Sequence, residues 1–200
     1  MTTPLSHLAR LLGLGLVAGS CFAADLPRLG LSVHGSCPTG SLKEFTEDPG
    51  YGLGVFAEWE LDSGSNLRLA YEGTVFRNTR DTTSLSGLPG GPFTFDDQRK
   101  PRSHAVLLEY LYFPRHDNEG FYFLLGAGGM NYMARNELTG TAPAVTAHLT
   151  TLEETGTKLA CVAGLGYEFT RNFGASARYS FITVNNRTLG GVQAGFSYRF

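Results

Sequence analysis

The 200-residue sequence has no run of about 18 consecutive apolar residues, which rules out a membrane-spanning helix in the body of the chain. Charge is sparse at 17 %, and 16 Lys and Arg stand against 18 Asp and Glu, so nothing marks a nucleic-acid partner. There are only three cysteines, and none is spaced with histidine as zinc ligands are. A Gly-x-Ser-x-Gly nucleophile elbow is missing as well. What the chain does have is glycine, 26 residues of it, and a strict alternation of polar and apolar positions.

The amino terminus reads as an export signal. Arg10 precedes the apolar run Leu11 to Gly19, and small residues follow at Ala23 and Ala24. Cleavage is expected after Ala23, with Cys21 and Ala23 as the small pair, dividing the chain into a signal peptide, residues 1–23, and a mature domain, residues 24–200. Ala18-Gly19-Ser20-Cys21 fits a lipoprotein site less well, because Ala stands where that motif favours Leu. The mature chain keeps 15 basic and 18 acidic residues, since the leader removes one Arg and no acid. Cys37 and Cys161 also remain. Export permits a disulfide, but Cys161 shares the face of Leu159, Ala163 and Leu165, which favours a lone thiol against apolar surroundings.

Eight segments of period two follow, at 29–36, 51–61, 66–77, 103–113, 121–134, 158–169, 174–183 and 192–200. In the last, Val192, Ala194, Phe196, Tyr198 and Phe200 alternate with Gln193, Gly195, Ser197 and Arg199. Asp62-Ser63-Gly64-Ser65 is a hairpin turn, and Gly128-Gly129 is a candidate bulge. Loops 37–50, 78–102 and 135–156 are long, whereas 62–65, 114–120 and 170–173 are short. An up-and-down barrel collects alternate connections at opposite rims, so the sequence predicts an all-β, eight-stranded antiparallel barrel with one long-loop rim and one tight-turn rim.

Alternation leaves open which face is inside, and a water-soluble calycin-type barrel would bury the apolar set. Two features favour the reverse. The polar set holds Glu58, Glu60, Glu72, Glu109 and Glu168 beside Arg68, Lys158, Arg178 and Arg199, a near-balanced mixture suited to a narrow lumen filled by ion pairs. The competing reading is a solvated surface of mixed charge. In addition, Trp59, Tyr110, Tyr112, Phe121, Phe123, Tyr167, Phe169, Tyr198 and Phe200 gather beside the short-turn rim, as aromatic rings do at a membrane interface.

The leader, the eight strands, the loop asymmetry and the closing Tyr198-Arg199-Phe200 together resemble the OmpA/OmpX-type superfamily of small bacterial outer-membrane barrels. The resemblance implies an integral outer-membrane protein with no cofactor and with outer-membrane lipid and lipopolysaccharide as surroundings. It also implies that Tyr198 and Phe200 form the terminal signal read by the barrel-insertion machinery, and that the protein is a monomer. Arg77, Arg80, Arg99, Lys100, Arg102 and Arg135 lie near the long-loop rim, a placement that suits lipopolysaccharide phosphates and equally a solvated loop.

The favoured role is structural or surface-interacting. Two alternatives are a lipid A-modifying enzyme and a narrow pore. Catalysis finds little support: His34, His104, His116 and His148 are scattered, and the adjacent Ser103 and His104 must point to opposite faces of a strand. Gly126 to Gly129 and Gly164-Leu165-Gly166 lie within strands with no helix behind them, so they cannot cradle phosphate. Small inward residues there make room for long neighbours. Asn186-Arg187-Thr188 reads as turn chemistry.

Overall fold

A computed structural model describes residues 26–200 apart from 45, 47, 63, 86–92, 116–118, 143–144 and 185–186. The expected signal at 1–23 therefore lies outside the described residues, as do His116 and Asn186. Ten strands form one antiparallel sheet: β1 (Arg28–Gly40), β2 (Gly50–Asp62), β3 (Ser65–Phe76), β4 (Thr79–Leu85), β5 (Phe93–Tyr112), β6 (Gly120–Ala142), β7 (Val145–Glu154), β8 (Lys158–Glu168), β9 (Phe173–Val184) and β10 (Arg187–Arg199). Eight of them, β1, β2, β3, β5, β6, β8, β9 and β10, close on themselves. The first and last pair from Gly30↔Arg199 to Gly40↔Leu189, and β5 joins β6 from Thr94↔Thr141 to Tyr112↔Phe123. Closure leaves no open edge in this part of the sheet, so every ladder hydrogen bond is made within it, as a hydrocarbon environment demands.

The side-chain alternation sorts as a membrane barrel requires. Leu53, Val55, Leu125, Leu165 and Phe196 are 67 %, 52 %, 62 %, 48 % and 53 % exposed, while Glu58, Glu72, Glu109 and Arg199 are 5 % exposed or less. A water-soluble barrel would show the opposite. At the tight-turn rim the outward rings touch one another: Phe121 with Phe123 at 4.9 Å, Tyr167 with Phe169 at 5.2 Å and Tyr198 with Phe200 at 5.5 Å between centroids. Phe173, which the sequence reading left in a turn, bridges Phe169 and Phe196 in the same belt.

Three expectations need correction. Loops 78–102 and 135–156 are largely strand: β4 pairs with the outer half of β5 and β7 with the outer half of β6, so two hairpins project as a four-stranded sheet, β4-β5-β6-β7. In both, the register of the shorter strand slips by one residue, from Val75↔Arg102 to Thr79↔Arg99 and from Met130↔Lys158 to Met133↔Glu154. The bulges thus lie on the β3–β4 and β7–β8 junctions. Gly128 and Gly129 instead pair in continuous register with β5 and β8, so the bulge expected there does not form.

Nor is the lumen polar throughout. Leu107, Leu111, Phe113, Tyr122, Leu124, Val162, Ile182 and Leu189 form an apolar cluster inside it, joined by Leu42 from the 3-10 turn Ser41–Glu44. Cys37 and Cys161 are free, on β1 and β8.

Replacing Leu165 by Arg on the outward face should lower unfolding stability in lipid by about 2 kcal/mol, within the range for cations facing hydrocarbon. Urea titration in bilayers measures it; a change below about 0.5 kcal/mol, usual for a solvated surface site, would contradict lipid exposure.

Candidate functional site

The lumen gathers seven of the nine ionisable residues that the sequence singled out. Period two puts Arg68 and Glu72 on the inward face of β3, Glu109 on that of β5, Glu168 on β8, Arg178 on β9, Arg199 on β10 and Glu58 on β2. Register then brings them level: Glu58 faces Arg68, Arg68 faces Glu109, and Arg178 faces Gln193.

Arg199 forks between two carboxylates. Its Nε and Nη2 donate to Glu58 Oε1 and Oε2 at 2.9 and 3.1 Å, and its Nη1 and Nη2 donate to Glu168 Oε2 and Oε1 at 2.5 and 2.6 Å. Glu58 also accepts from Arg68 Nε and Asn66 Nδ2, each at 2.9 Å. The Phe56 ring lies beneath the Arg68 guanidinium, 4.6 Å from centroid to carbon, adding a cation–π contact. Higher in the lumen, Arg178 donates from Nη1 to Glu109 Oε1 at 2.6 Å, from Nη2 to Glu72, and from Nε to Gln193 Oε1 at 2.9 Å. Glu109 links the two groups, its Oε2 standing 3.7 Å from Arg68 Nη1. Beside them His34 Nε2 bonds Thr74 Oγ1 at 2.9 Å.

Planar guanidinium forks match carboxylates in pairs, which explains why arginine supplies every buried cation of this network. Glycine makes the room. A Cβ at Gly174 would strike the Glu168 carboxylate, and one at Gly164 would strike Arg178. Between the groups there remains a cavity of about 20 Å³, lined by His34, Arg68, Glu72, Glu109, Arg178 and Gln193 among others. That is room for about one water and not for a continuous channel.

Glu60 and Lys158 do not join. Both have the inward parity, but alternation fixes a face and not a depth. Glu60 lies next to the register slip at the lower end of β2, where it is exposed and pairs with Arg28 at 2.9 Å. Lys158 opens β8 at the upper mouth and is exposed. Asn66, Gln193 and Phe56 are partners that a search for charges passed over. Their inward parity was the available signal.

Catalytic geometry is absent among the described residues. Ser103 is buried on the inward face of β5 while His104 stands on the outward face, its Nδ1 3.1 Å from Tyr71 Oη. Each lumen carboxylate is held by a guanidinium, and no group of three or more His, Cys, Asp or Glu suited to a metal occurs among the described residues.

On the outer hairpins the ion pairs are exposed or only partly buried. Arg80 donates from Nε and Nη2 to Asp96 at 2.8 and 2.5 Å, and Lys100 meets Glu137 at 2.7 Å. The hydrogen bond from Arg80 holds the Asp96 carboxyl below the usual aspartate range. A lowered folded value means that the pair's contribution is complete above the ordinary aspartate value and is lost as pH falls through the lowered one. Carboxyl carbon NMR should show Asp96 titrating at lower pH than in the Arg80→Ala variant; coincident curves would break the pairing.

Comparison with known proteins gives three findings. The family described as outer membrane protein beta-barrel domain matches residues 9–200. No curated protein matches. Among solved structures, Ail, the attachment invasion locus protein of Yersinia pestis, in complex with the heparin analogue sucrose octasulfate, aligns with a TM-score of 0.54 at 15 % identity, covering 87 % of this chain and 97 % of that one. The N-terminal β-barrel domain of Pseudomonas aeruginosa OprF aligns at 0.48 and 15 % identity, covering 86 % and 97 %, and Neisserial surface protein A at 0.44 and 18 %, covering 87 % and 97 %. Identities this low speak to the fold alone.

Four buried carboxylates face three guanidiniums in the network. Removing Arg178 by Ala strands Glu72 and Glu109 together and should cost about 3–5 kcal/mol. Glu109→Gln, which keeps an oxygen acceptor for Arg178 and leaves three carboxylates to three guanidiniums, should cost less than half of that. Denaturant titration of both variants in one lipid checks the order; a costlier Glu109→Gln would contradict this wiring.

Proposed function

The chain belongs to the family of outer-membrane protein β-barrel domains, and from that premise we propose that it is a non-enzymatic barrel that presents an interaction surface outside the cell. Its place is the outer membrane. The observation that carries the reading is the division of labour along β5 and β6. Their lower halves wall a lumen filled by ion pairs and apolar side chains, and their upper halves rise beyond it with β4 and β7 as a sheet. A filled lumen supports neither conduction nor substrate entry.

Polarity changes along the outward face of the two long strands, which supports the placement of the membrane edge. On the outward face, Val106, Leu108 and Tyr110 of β5 give way to Arg102, Lys100 and Gln98, and Leu125 and Ala127 of β6 give way to Arg135 and Glu137. On the lumen-side face Arg99 and Asp97 of β5 are followed by Phe95, and Leu138 of β6 lies opposite Asp97, so that face mixes charge with apolar side chains and is no longer a packed interior. The hairpins thus stand in water, and the rim below them sits at the depth of lipopolysaccharide headgroups, whose contact with the basic rim belongs to this reading. Tyr198 and Phe200, paired on the outward face, are the side chains we assign to recognition by the barrel-insertion machinery.

Planar-bilayer recording and lipid A mass spectrometry test the proposal together. The purified chain should give no stepwise conductance, and cells with and without it should yield the same lipid A masses. Steady openings would replace the closed barrel with a pore, and a shifted acyl pattern would replace it with an enzyme.

A further inference from the structure

The outward rungs of β3, β5 and β6 can be followed upward from the hydrocarbon zone. Leu69, Leu108 and Ala127 share one level, Tyr71, Val106 and Gly129 the next, then Gly73, His104 and Asn131, then Val75, Arg102 and Met133, and finally Lys100 with Arg135. Arg77 is exposed at the bulge that joins β3 to β4, beside this last level. Two rungs therefore change an apolar wall into one carrying four bases. On these three strands the acid among them is Glu137, which meets Lys100 at 2.7 Å and Arg135 at 2.9 Å, and on β7 Glu154 pairs with Met133 at the level of Arg102. Arg77 and Arg102 have no carboxylate at ion-pair distance among the described residues.

The remaining wall differs. At the upper ends of β1, β2, β9 and β10 the outward side chains are Thr39, Tyr51, Thr183 and Thr188, none of them charged. The basic cluster is thus confined to one sector of the circumference.

Directly below it is a polar pair on a surface that otherwise meets acyl chains. Tyr71 Oη is 3.1 Å from His104 Nδ1, with the rings stacked at 6.2 Å between centroids. With the phenol donating to Nδ1, the imidazole proton sits on Nε2, the nitrogen that Tyr71 leaves free. Asn131 neighbours His104 across the ladder and accepts from Thr155 Oγ1 at 3.1 Å.

We propose that this wall of β3, β5 and β6 holds the phosphate of a membrane glycolipid between Arg77, Arg102 and Arg135, with His104 donating to its sugar headgroup. The proposal rests on the reading of the basic rim as a lipopolysaccharide contact and narrows it to one site and one chemical group. Guanidinium forks suit phosphate oxygens. The site faces sideways, continuous with the apolar rungs beneath, so its ligand lies in the plane of the membrane with acyl chains along Val75, Val106 and Leu108. A soluble polyanion arriving over the barrel mouth would not meet this face.

Native mass spectrometry of the full mature chain in neutral detergent supplies the test, with bisphosphorylated lipid A, dephosphorylated lipid A and sucrose octasulfate as probes. Wild type should retain the phosphorylated lipid about tenfold better than the dephosphorylated one, and R102A/R135A should reduce that preference to about twofold while keeping heat-modifiable gel migration. Equal retention of both lipids by wild type leaves lipopolysaccharide contact standing and overturns the phosphate site. Retention of neither overturns the contact and the site together. A preference that survives in R102A/R135A assigns the phosphate to other residues and overturns the proposal, as does displacement of the lipid by sucrose octasulfate, which would make the partner a soluble polyanion. R102K/R135K, which keeps charge but loses the fork, should fall between wild type and the alanine variant.

Discussion

Four carboxylates and three guanidiniums share a buried space inside this barrel, and the need to keep each of them paired governs the rest of the structure. A buried pair adds little net stability, since desolvation offsets most of its Coulomb gain, but a broken one is costly. Such a network therefore works as a constraint on register more than as a source of stability. Slipping any strand by one residue would turn its charged side chains toward lipid and its leucines toward arginine. Glu58, Arg68 and Glu109 sit on successive strands at one level, so the network discriminates against every neighbouring register of β2, β3 and β5.

The same constraint shapes the composition. Long inward side chains from one strand need short ones opposite, which is why Gly164 lies against Arg178 and Gly174 against Glu168. The apolar cluster around Leu107, Tyr122 and Ile182 fills the part of the lumen that the ion pairs do not reach. Outside, no such economy is needed, and the lipid face carries branched residues and rings. Beyond the membrane edge the demand lapses. The hairpins put Arg80, Asp96, Lys100 and Glu137 on the outward side and Arg99 and Asp97 beside Phe95 and Leu138 on the other, so both faces carry charge.

Alternation made the barrel legible. Wherever one face meets lipid and the other a packed lumen, as in β10 from Val192 to Phe200, the sequence is nearly forced to reveal the strand and its two sides. The hairpins escaped for the complementary reason: in water neither face of Thr79–Leu85 or of Arg99 to Arg102 has to be apolar, and Pro101 at a buried position looks like a loop residue. Period two also carries no depth. Glu60 and Lys158 have the right parity and the wrong height, whereas Gln193, Asn66 and Phe56 have the right height but no charge to draw notice. The outward cluster of Arg77, Arg102 and Arg135 was visible as a composition and became a site only through register.

The central claim is the direction of polarity, and NMR in lipid nanodiscs measures it most directly. Methyl groups of Leu53, Leu69 and Leu165 should show cross-relaxation with acyl-chain protons, while the Nε protons of Arg68, Arg178 and Arg199 should exchange slowly and show none with bulk water. Leucine methyls in contact with one another and not with lipid, together with rapidly exchanging guanidinium protons, would contradict it.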